Sequence, residues 1–202
     1  MTRVGTCCVV GLFCVASVIA APAQSTYFTT LVNFDGTNGA DPSGTLIQAN
    51  DGNFYGTTAA GGNQNWPCGI DGSCGTVFRI TTGGRLTTLY SFCPQYGCVD
   101  GDAPYGALVQ ATDGNFYGTT TGGGAGSGTV FKITPAGALT TLYSFCSEPD
   151  CADGATPYAG LVQGTDGALY GTTRYGGGTS CVDCGTVFKI TPGGHAYDAA
   201  QL

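Results

Sequence analysis

The stretch "DGNFYGTT" at residues 51–58 returns unchanged at residues 113–120, and "DGALYGTT" follows at residues 166–173. Two other phrases accompany it. "GTVFRIT" or "GTVFKIT" stands at residues 75–81, 128–134 and 185–191, and "TTLVNF" or "TTLYSF" at residues 29–34, 87–92 and 140–145. The copies are unequally spaced because extra residues fall between the phrases and never within them. This pattern indicates a repeated structural unit with variable loops.

Each full copy contains four segments that predict β-strands. "ALVQAT" and "NFYGTT" are separated by Asp113-Gly114, a dipeptide typical of tight hairpin turns. "GTVFKIT" and "ALTTLYSF" are separated by "PAG" at residues 135–137, in which proline fixes φ and glycine accepts a left-handed backbone. Apolar residues alternate with period two, as at Phe78 and Ile80, and no helical period follows the first 23 residues. The sequence therefore predicts an all-β protein of four-stranded antiparallel units.

Tandem four-stranded units are the blades of a β-propeller, because one blade cannot bury both of its faces alone. The sequence places the β domain at residues 24–194, with units at roughly residues 27–81, 82–134 and 135–191 and an irregular tail at residues 195–202. Propellers usually have about four to eight blades. Three units are fewer than that, so three arrangements remain open. The ring could be shared between chains of a homo-oligomer, the chain could be a fragment of a longer one, or three units could close in a β-trefoil-like manner.

The phrases "DGNFYGTT", "GTVFKIT" and "LTTLYSF", in that order, resemble the GloVer-type (Gloeo/Verruco) tandem-repeat family of exported bacterial proteins. The resemblance covers nearly all of the chain after residue 23. It implies a secreted or surface protein with a propeller-like repeat domain, often followed by a C-terminal sorting anchor of the choice-of-anchor type. It supplies no catalytic residues. The chain departs from the pattern after "KITPGG", where "HAYDAAQL" stands in place of another "LTTLYSF".

Export is predicted from the first residues and changes how the cysteines are interpreted. An apolar run follows Arg3 and precedes an A-x-A site at residues 21–23, which is typical of a secretory signal peptide. Cleavage of residues 1–23 would leave no transmembrane span and a secreted, extracellular or cell-surface protein. Close cysteine pairs in an exported chain predict disulfides, here Cys68 and Cys74, Cys93 and Cys98, Cys146 and Cys151, and Cys181 and Cys184. The "CVDC" spacing of the last pair also fits zinc.

Charge narrows the class of partner. The chain of 202 residues carries a formal net charge of −7. No basic stripe exists to neutralise phosphates, so we expect no nucleic-acid partner. An acidic surface is compatible with a glycan or a surface protein. The sequence therefore favours an exported binding or cell-surface structural module, without specifying its ligand.

The candidate site follows from the order of the strands. Connections alternate between the two ends of a meander, so all four cysteine pairs and most acids fall at the same end. Variable loops at that end are the expected place for binding. The candidate ligand contacts there are Trp66, Asp100, Asp102 and Asp153.

Two other chemistries are compatible with parts of the sequence. "FDGTNGAD" and "VDGDAPYG" place oxygen ligands at short spacing, which suggests Ca²⁺, although Asp-Gly is also a common turn dipeptide. We otherwise expect no metal and no cofactor. Paired aspartates on the loop face could hydrolyse glycosides, so a secreted carbohydrate-active enzyme is the alternative function. The only histidine, His195, lies in the irregular tail, so a nucleophilic triad is not expected, and we expect no catalytic residues.

Overall fold

Eleven β-strands occupy the described part of the chain, which comprises residues 28–62, 74–178 and 184–194 of a computed structural model. In chain order they are β1 (Ile47–Gln48), β2 (Phe54–Thr58), β3 (Thr76–Ile80), β4 (Leu86–Ser91), β5 (Val109–Gln110), β6 (Phe116–Thr120), β7 (Thr129–Ile133), β8 (Leu139–Ser144), β9 (Val162–Gln163), β10 (Leu169–Thr172) and β11 (Val187–Ile190). The described residues contain no helix that could cross a membrane. The predicted signal peptide (residues 1–23) and the tail (residues 195–202) lie outside these ranges.

Three antiparallel sheets confirm the all-β prediction. Their strand orders are β1-β2-β3-β4, β5-β6-β7-β8 and β11-β10-β9, so each strand pairs with its neighbour along the chain. The register repeats as well, since Phe54 faces Ile80 in the first sheet and Phe116 faces Ile133 in the second. The named strands pair only within their own sheets, which is a blade-like meander and not the shared barrel of a β-trefoil.

The Asp-Gly dipeptide forms the turn between the first two strands of each sheet. Gly114 has a φ of +81°, a left-handed conformation that glycine adopts without strain. The carboxylate of Asp113 accepts a 3.0 Å hydrogen bond from the backbone N–H of Asn115. The Asp side chain and the permissive glycine both stabilise this turn, which explains why Asp-Gly recurs at the same place in each sheet.

The hydrophobic core lies between neighbouring sheets. Tyr55 of β2 stacks on Phe116 of β6 with ring centroids 4.1 Å apart, and Phe92 packs edge-on against Phe131 at 5.2 Å. An added Cβ at Gly118 would lie 2.6 Å from the Phe131 ring, so only glycine leaves room for that ring at this point of β6. Stacking between units therefore buries the faces that a single sheet would expose.

Residues 28–34, which carry the first copy of the "TTLYSF" phrase, pack against the first sheet. Phe34 meets Phe78 edge-on at 5.1 Å, as Phe92 meets Phe131 in the next unit. No described strand pairs with this segment. It lies against the first sheet as β4 lies against the second.

Candidate functional site

The connections lie at two different ends of the sheets. We call the end formed by the β2–β3, β6–β7 and β10–β11 connections and by the segments between sheets the loop end, and the opposite end the turn end. Backbone bridges join the loop-end segments, with Asp102 paired to Gly122 and Ala155 paired to Tyr175. The Asp-Gly turns form the turn end.

Disulfides close short loops at the loop end. Cys93–Cys98 and Cys146–Cys151 are both present, each with a sequence separation of 5. Cys74 and Cys184 are also disulfide-bonded, while their predicted partners Cys68 and Cys181 lie outside the described residues. Within the described ranges, no group of three or more His, Cys, Asp or Glu residues could hold a metal ion.

Two of the predicted ligand contacts are engaged within their own loops. The carboxylate of Asp100 accepts hydrogen bonds from the Tyr90 hydroxyl at 2.9 Å and the Cys93 backbone N–H at 3.1 Å. Asp153, at the same place in the repeat, accepts from the Tyr143 hydroxyl at 2.8 Å and the Ser147 backbone N–H at 3.0 Å. Both carboxylates therefore fix a disulfide loop to the end of a strand.

Hydrogen bonding also sets the charge of Asp153. Burial alone would raise the pKa of its carboxyl, but the bonds from Tyr143 and Ser147 outweigh burial and lower it. Asp153 thus stays ionised at neutral pH as an acceptor within its loop.

Asp102 is different because it faces a groove. With Tyr96 and Gly126 it lines a depression between the Cys93–Cys98 loop and the β6–β7 connection. Burial raises the pKa of its carboxyl, and the nearby charge of Asp100 adds to the effect. The Asp100 carboxylate itself is held by Tyr90 and Cys93, which both donate to the same oxygen.

The two remaining sequence hypotheses have different outcomes. Trp66 lies outside the described residues. Of the segments that suggested Ca²⁺, "FDGTNGAD" forms a local turn, because Asp35 accepts hydrogen bonds from the Thr37 hydroxyl at 2.7 Å and the Asn38 backbone N–H at 3.0 Å. These bonds lower the pKa of the Asp35 carboxyl, with Thr37 contributing most. Its geometry is that of an Asp turn.

A tyrosine–arginine cluster lies at the loop end, between the second and third sheets. It consists of Tyr105, Tyr158, Arg174 and Tyr175. The rings of Tyr105 and Tyr158 stack at 4.9 Å with an interplanar angle of 24°. The Arg174 guanidinium lies 5.6 Å from the Tyr158 ring centroid and 4.9 Å from that of Tyr175. Aromatic rings and a cation thus meet at the surface, where Tyr158 and Arg174 are exposed and the other two tyrosines are half-buried.

Backbone bonds hold the cluster in place. Tyr175 exchanges two hydrogen bonds with Ala155, at 2.8 and 3.0 Å, and Arg174 donates to the Thr156 carbonyl at 3.1 Å. Ion pairs within the described residues join Lys132 to Asp113 and Lys189 to Asp166, and neither involves Arg174. Arg174 is exposed, and its guanidinium lies beside two rings.

Sequence reasoning missed the cluster, although one signal was present. In the third unit the phrase "GTT" is followed by Arg174-Tyr175. The same phrase is followed by Ala59-Ala60 in the first unit and by Thr121-Gly122 in the second. A charged and aromatic pair therefore replaces small residues at one copy of a repeated position. Tyr105 and Tyr158, each after a proline, are likewise absent from the corresponding "DPSG" of the first unit.

The turn end carries a repeated network of different character. Asp113 accepts hydrogen bonds from Tyr117 at 2.7 Å and Lys132 at 3.2 Å, and Asp166 accepts from Tyr170 at 2.7 Å and pairs with Lys189 at 2.9 Å. Burial would raise the pKa of Asp113, but the bonds from Asn115, Tyr117 and Lys132 lower it. Lys189 and then Tyr170 lower the pKa of Asp166 to about 2. The aspartate–tyrosine bond recurs in the first unit, where Asp51 accepts from Tyr55 at 2.9 Å, and this repetition indicates a structural role.

Comparisons with known proteins give the following matches. A family model described as the Gloeobacter/Verrucomicrobia repeat matches residues 17–201. No curated protein matches the chain. A solved crystal structure described as "the putative gluconolactonase in protein family" is similar at 19% identity with a TM-score of 0.43. The alignment covers 75% of this chain and 44% of that one, so the chain spans less than half of that protein's length.

Proposed function

The chain belongs to the Gloeobacter/Verrucomicrobia repeat family, and on that premise we propose that it is an exported binding module whose loop end holds a glycan. The repeats supply a rigid scaffold, and the loop-end connections differ from unit to unit. Disulfides at the loop end support the proposal of export, since such bonds persist in oxidising compartments. Export itself stays a prediction.

The observation that carries the proposal is the tyrosine–arginine cluster. Sugar rings present apolar C–H faces that stack on tyrosine, and hydroxyl or carboxylate oxygens accept from guanidinium N–H groups. Arg174 offers a planar fork that suits a carboxylate in two parallel hydrogen bonds. Saccharides that contain uronic acid units are therefore the favoured ligands. The net charge of −7 opposes them only weakly at physiological salt, where distant charges are screened beyond about 8 Å.

Binding of defined oligosaccharides, with and without uronic acid units, tests the proposal by titration calorimetry. Arg174→Ala should weaken binding of the acidic ligand at least roughly tenfold, since a charge-assisted bond contributes about 1.5–3 kcal/mol. Arg85→Ala is the matched control, because Arg85 is exposed near the turn between β3 and β4. Equal binding by both variants, or no saccharide binding by the unmodified protein, would reject the proposal.

A further inference from the structure

Neighbouring sheets join through the same apolar contacts at both internal interfaces. One sheet presents a tyrosine and a valine, Tyr55 and Val77 at the first interface and Tyr117 and Val130 at the second, which are at most 1% exposed. We call this surface the plug. The next sheet receives them on a surface that includes Leu108 and Phe116 at the first interface, and Leu161 and Leu169 at the second. We call this surface the socket.

Two polar contacts fix the register of plug and socket. A threonine hydroxyl donates across each interface to a carbonyl, Thr57 to Gly106 at 3.1 Å and Thr119 to Ala159 at 2.9 Å. A glutamine carbonyl accepts a backbone N–H across each interface, Gln110 from Asn50 and Gln163 from Thr112, both at 2.9 Å. The interfaces therefore have a repeated hydrogen-bond pattern as well as repeated packing.

The third sheet presents a plug that no described residue covers. Val187 is 80% exposed, whereas its equivalents Val77 and Val130 are 0% exposed. Tyr170 is only partly buried, unlike Tyr55 and Tyr117. Thr172, which corresponds to the buried donors Thr57 and Thr119, is exposed.

The first sheet presents the matching socket, also uncovered within the described ranges. Leu46 is 49% exposed, whereas its equivalents Leu108 and Leu161 are 3% and 6% exposed. Phe54, which corresponds to the fully buried Phe116, lines an open apolar groove with Leu46 and Ile80. Leu31, Val32 and Phe34 from the segment at residues 28–34 form one wall of that groove.

We propose that a second copy of this chain docks its third-sheet plug into the first-sheet socket, with the geometry of the two internal interfaces. Tyr170 of the docking copy then stacks on Phe54, and Val187 enters the groove beside Leu46. The Thr172 hydroxyl donates to the carbonyl of Gly44, and Gln48 accepts from the backbone N–H of Thr165. Each of the two hydrogen bonds has two precedents within the chain, and the stacking of tyrosine on phenylalanine has one, Tyr55 on Phe116.

The internal interfaces indicate which partner docks on these two surfaces, because they are built from the same plug and socket. An unrelated apolar partner would cover Leu46 and Phe54, but it would not also supply a hydroxyl for Gly44 and an N–H for Gln48 in register. A plug-to-socket contact is heterologous, so it generates either a closed ring or an open chain of copies. Two copies supply six units, within the roughly four to eight blades of propeller rings. We therefore infer a closed dimer.

Molar mass in solution, measured by light scattering across a dilution series, tests this arrangement. The purified protein should be a dimer. Val187→Asp should weaken association roughly a hundredfold or more, because the new carboxylate would be buried without a partner. The substituted side chain is exposed in the single chain, so folding should be retained. Val99→Asp, at a loop position that is 64% exposed, is the matched control and should remain dimeric.

A mixing experiment separates this contact from a symmetric one. Leu46→Asp damages only the socket and Val187→Asp only the plug, so each variant alone should be monomeric. Their mixture keeps one intact plug and one intact socket and should form a one-to-one complex. A monomeric unmodified protein would overturn the proposal, because other residues of the same chain would then cover both faces. A dimer insensitive to Val187→Asp, or no complex on mixing, would overturn it equally.

Discussion

The turn end and the loop end of this molecule are built from the same strands but carry opposite kinds of variation. At the turn end the same aspartate–tyrosine hydrogen bond recurs in each unit, and a lysine joins it in two of them, as at Asp113, Tyr117 and Lys132. At the loop end a tyrosine–arginine cluster occurs at one junction, and a groove lined by Asp102 occurs at another. Residues that are the same in every copy therefore belong to the structural scaffold, whereas residues that differ between copies form the candidate site.

The largest expected effect is on stability, at the turn end. Tyr117→Ala removes a ring that is 0% exposed and breaks the hydrogen bond to Asp113, so the free energy of unfolding should fall by about 3–5 kcal/mol. Denaturant unfolding measures this change. Tyr96→Ala is the control at the loop end, where the side chain is 86% exposed, and should change stability by about 0.5 kcal/mol at most. Equal losses would abolish the contrast between the ends.

The next effect concerns a loop-end disulfide. Replacing Cys146 and Cys151 together by serine should lower the free energy of unfolding by about 2 kcal/mol, the loop-closure value for so short a loop. It should also loosen the hold on Asp153, because its donor Ser147 lies within that loop. Thermal unfolding reports the first change, and titration of the Asp153 carboxyl by NMR reports the second. A pKa of Asp153 that stays as low as before would show that the disulfide does not organise the loop.

The dependence of stability on pH should come largely from the turn end. The pKa values of Asp113 and Asp166 are lowered in the folded protein, that of Asp166 to about 2. Their contribution is therefore fully present above the unfolded value near 4 and is lost as pH falls from about 4 toward 2. Melting temperatures measured from pH 6 to pH 2 should fall less steeply for Asp113→Asn than for the unmodified protein. If the melting temperatures of the variant and of the unmodified protein fall in parallel with pH, the Asp113 carboxylate does not contribute to the pH dependence of stability.

The smallest effect distinguishes copies of the turn-end network. The first unit uses Arg79 where the others use lysine, and its buried Nε has no hydrogen-bond partner among the described residues. Lysine has no such group, so Arg79→Lys should stabilise the protein by about 0.5–1 kcal/mol. Lys132→Arg is the reciprocal change and should give no such gain. Loss of stability in Arg79→Lys would mean that the guanidinium makes contacts a lysine cannot replace.

Much of the fold could be predicted from the sequence because its determinants are local. Asp113-Gly114 defines a turn by its own chemistry, and the alternation around Phe78 and Ile80 defines a strand face. Stacking of units followed from repetition, and Tyr55 on Phe116 confirms it. These inferences needed no knowledge of which distant loops approach each other.

The candidate site could not be predicted in the same way. Tyr158 and Arg174 meet because a backbone bridge joins Ala155 to Tyr175, and sequence spacing does not reveal that bridge. Asp100 and Asp153, which the sequence offers as ligand contacts, accept hydrogen bonds from Tyr90 and Tyr143 on the preceding strands, and the sequence does not reveal these bonds. An acidic residue in a loop looks the same in the sequence whether it faces solvent or its own strand.

The most direct test of the central claim compares one variant at each end in two assays. Tyr117→Phe keeps the ring but removes the hydroxyl that Asp113 accepts, and Arg174→Ala removes the loop-end cation. Unfolding free energy and binding of a uronic-acid oligosaccharide are measured for both. We expect Tyr117→Phe to lower the free energy of unfolding by about 1–3 kcal/mol and to leave binding unchanged. We expect Arg174→Ala to weaken binding and to leave the free energy of unfolding unchanged. If Arg174→Ala lowers stability and leaves binding intact, the loop end is scaffold and the account is wrong.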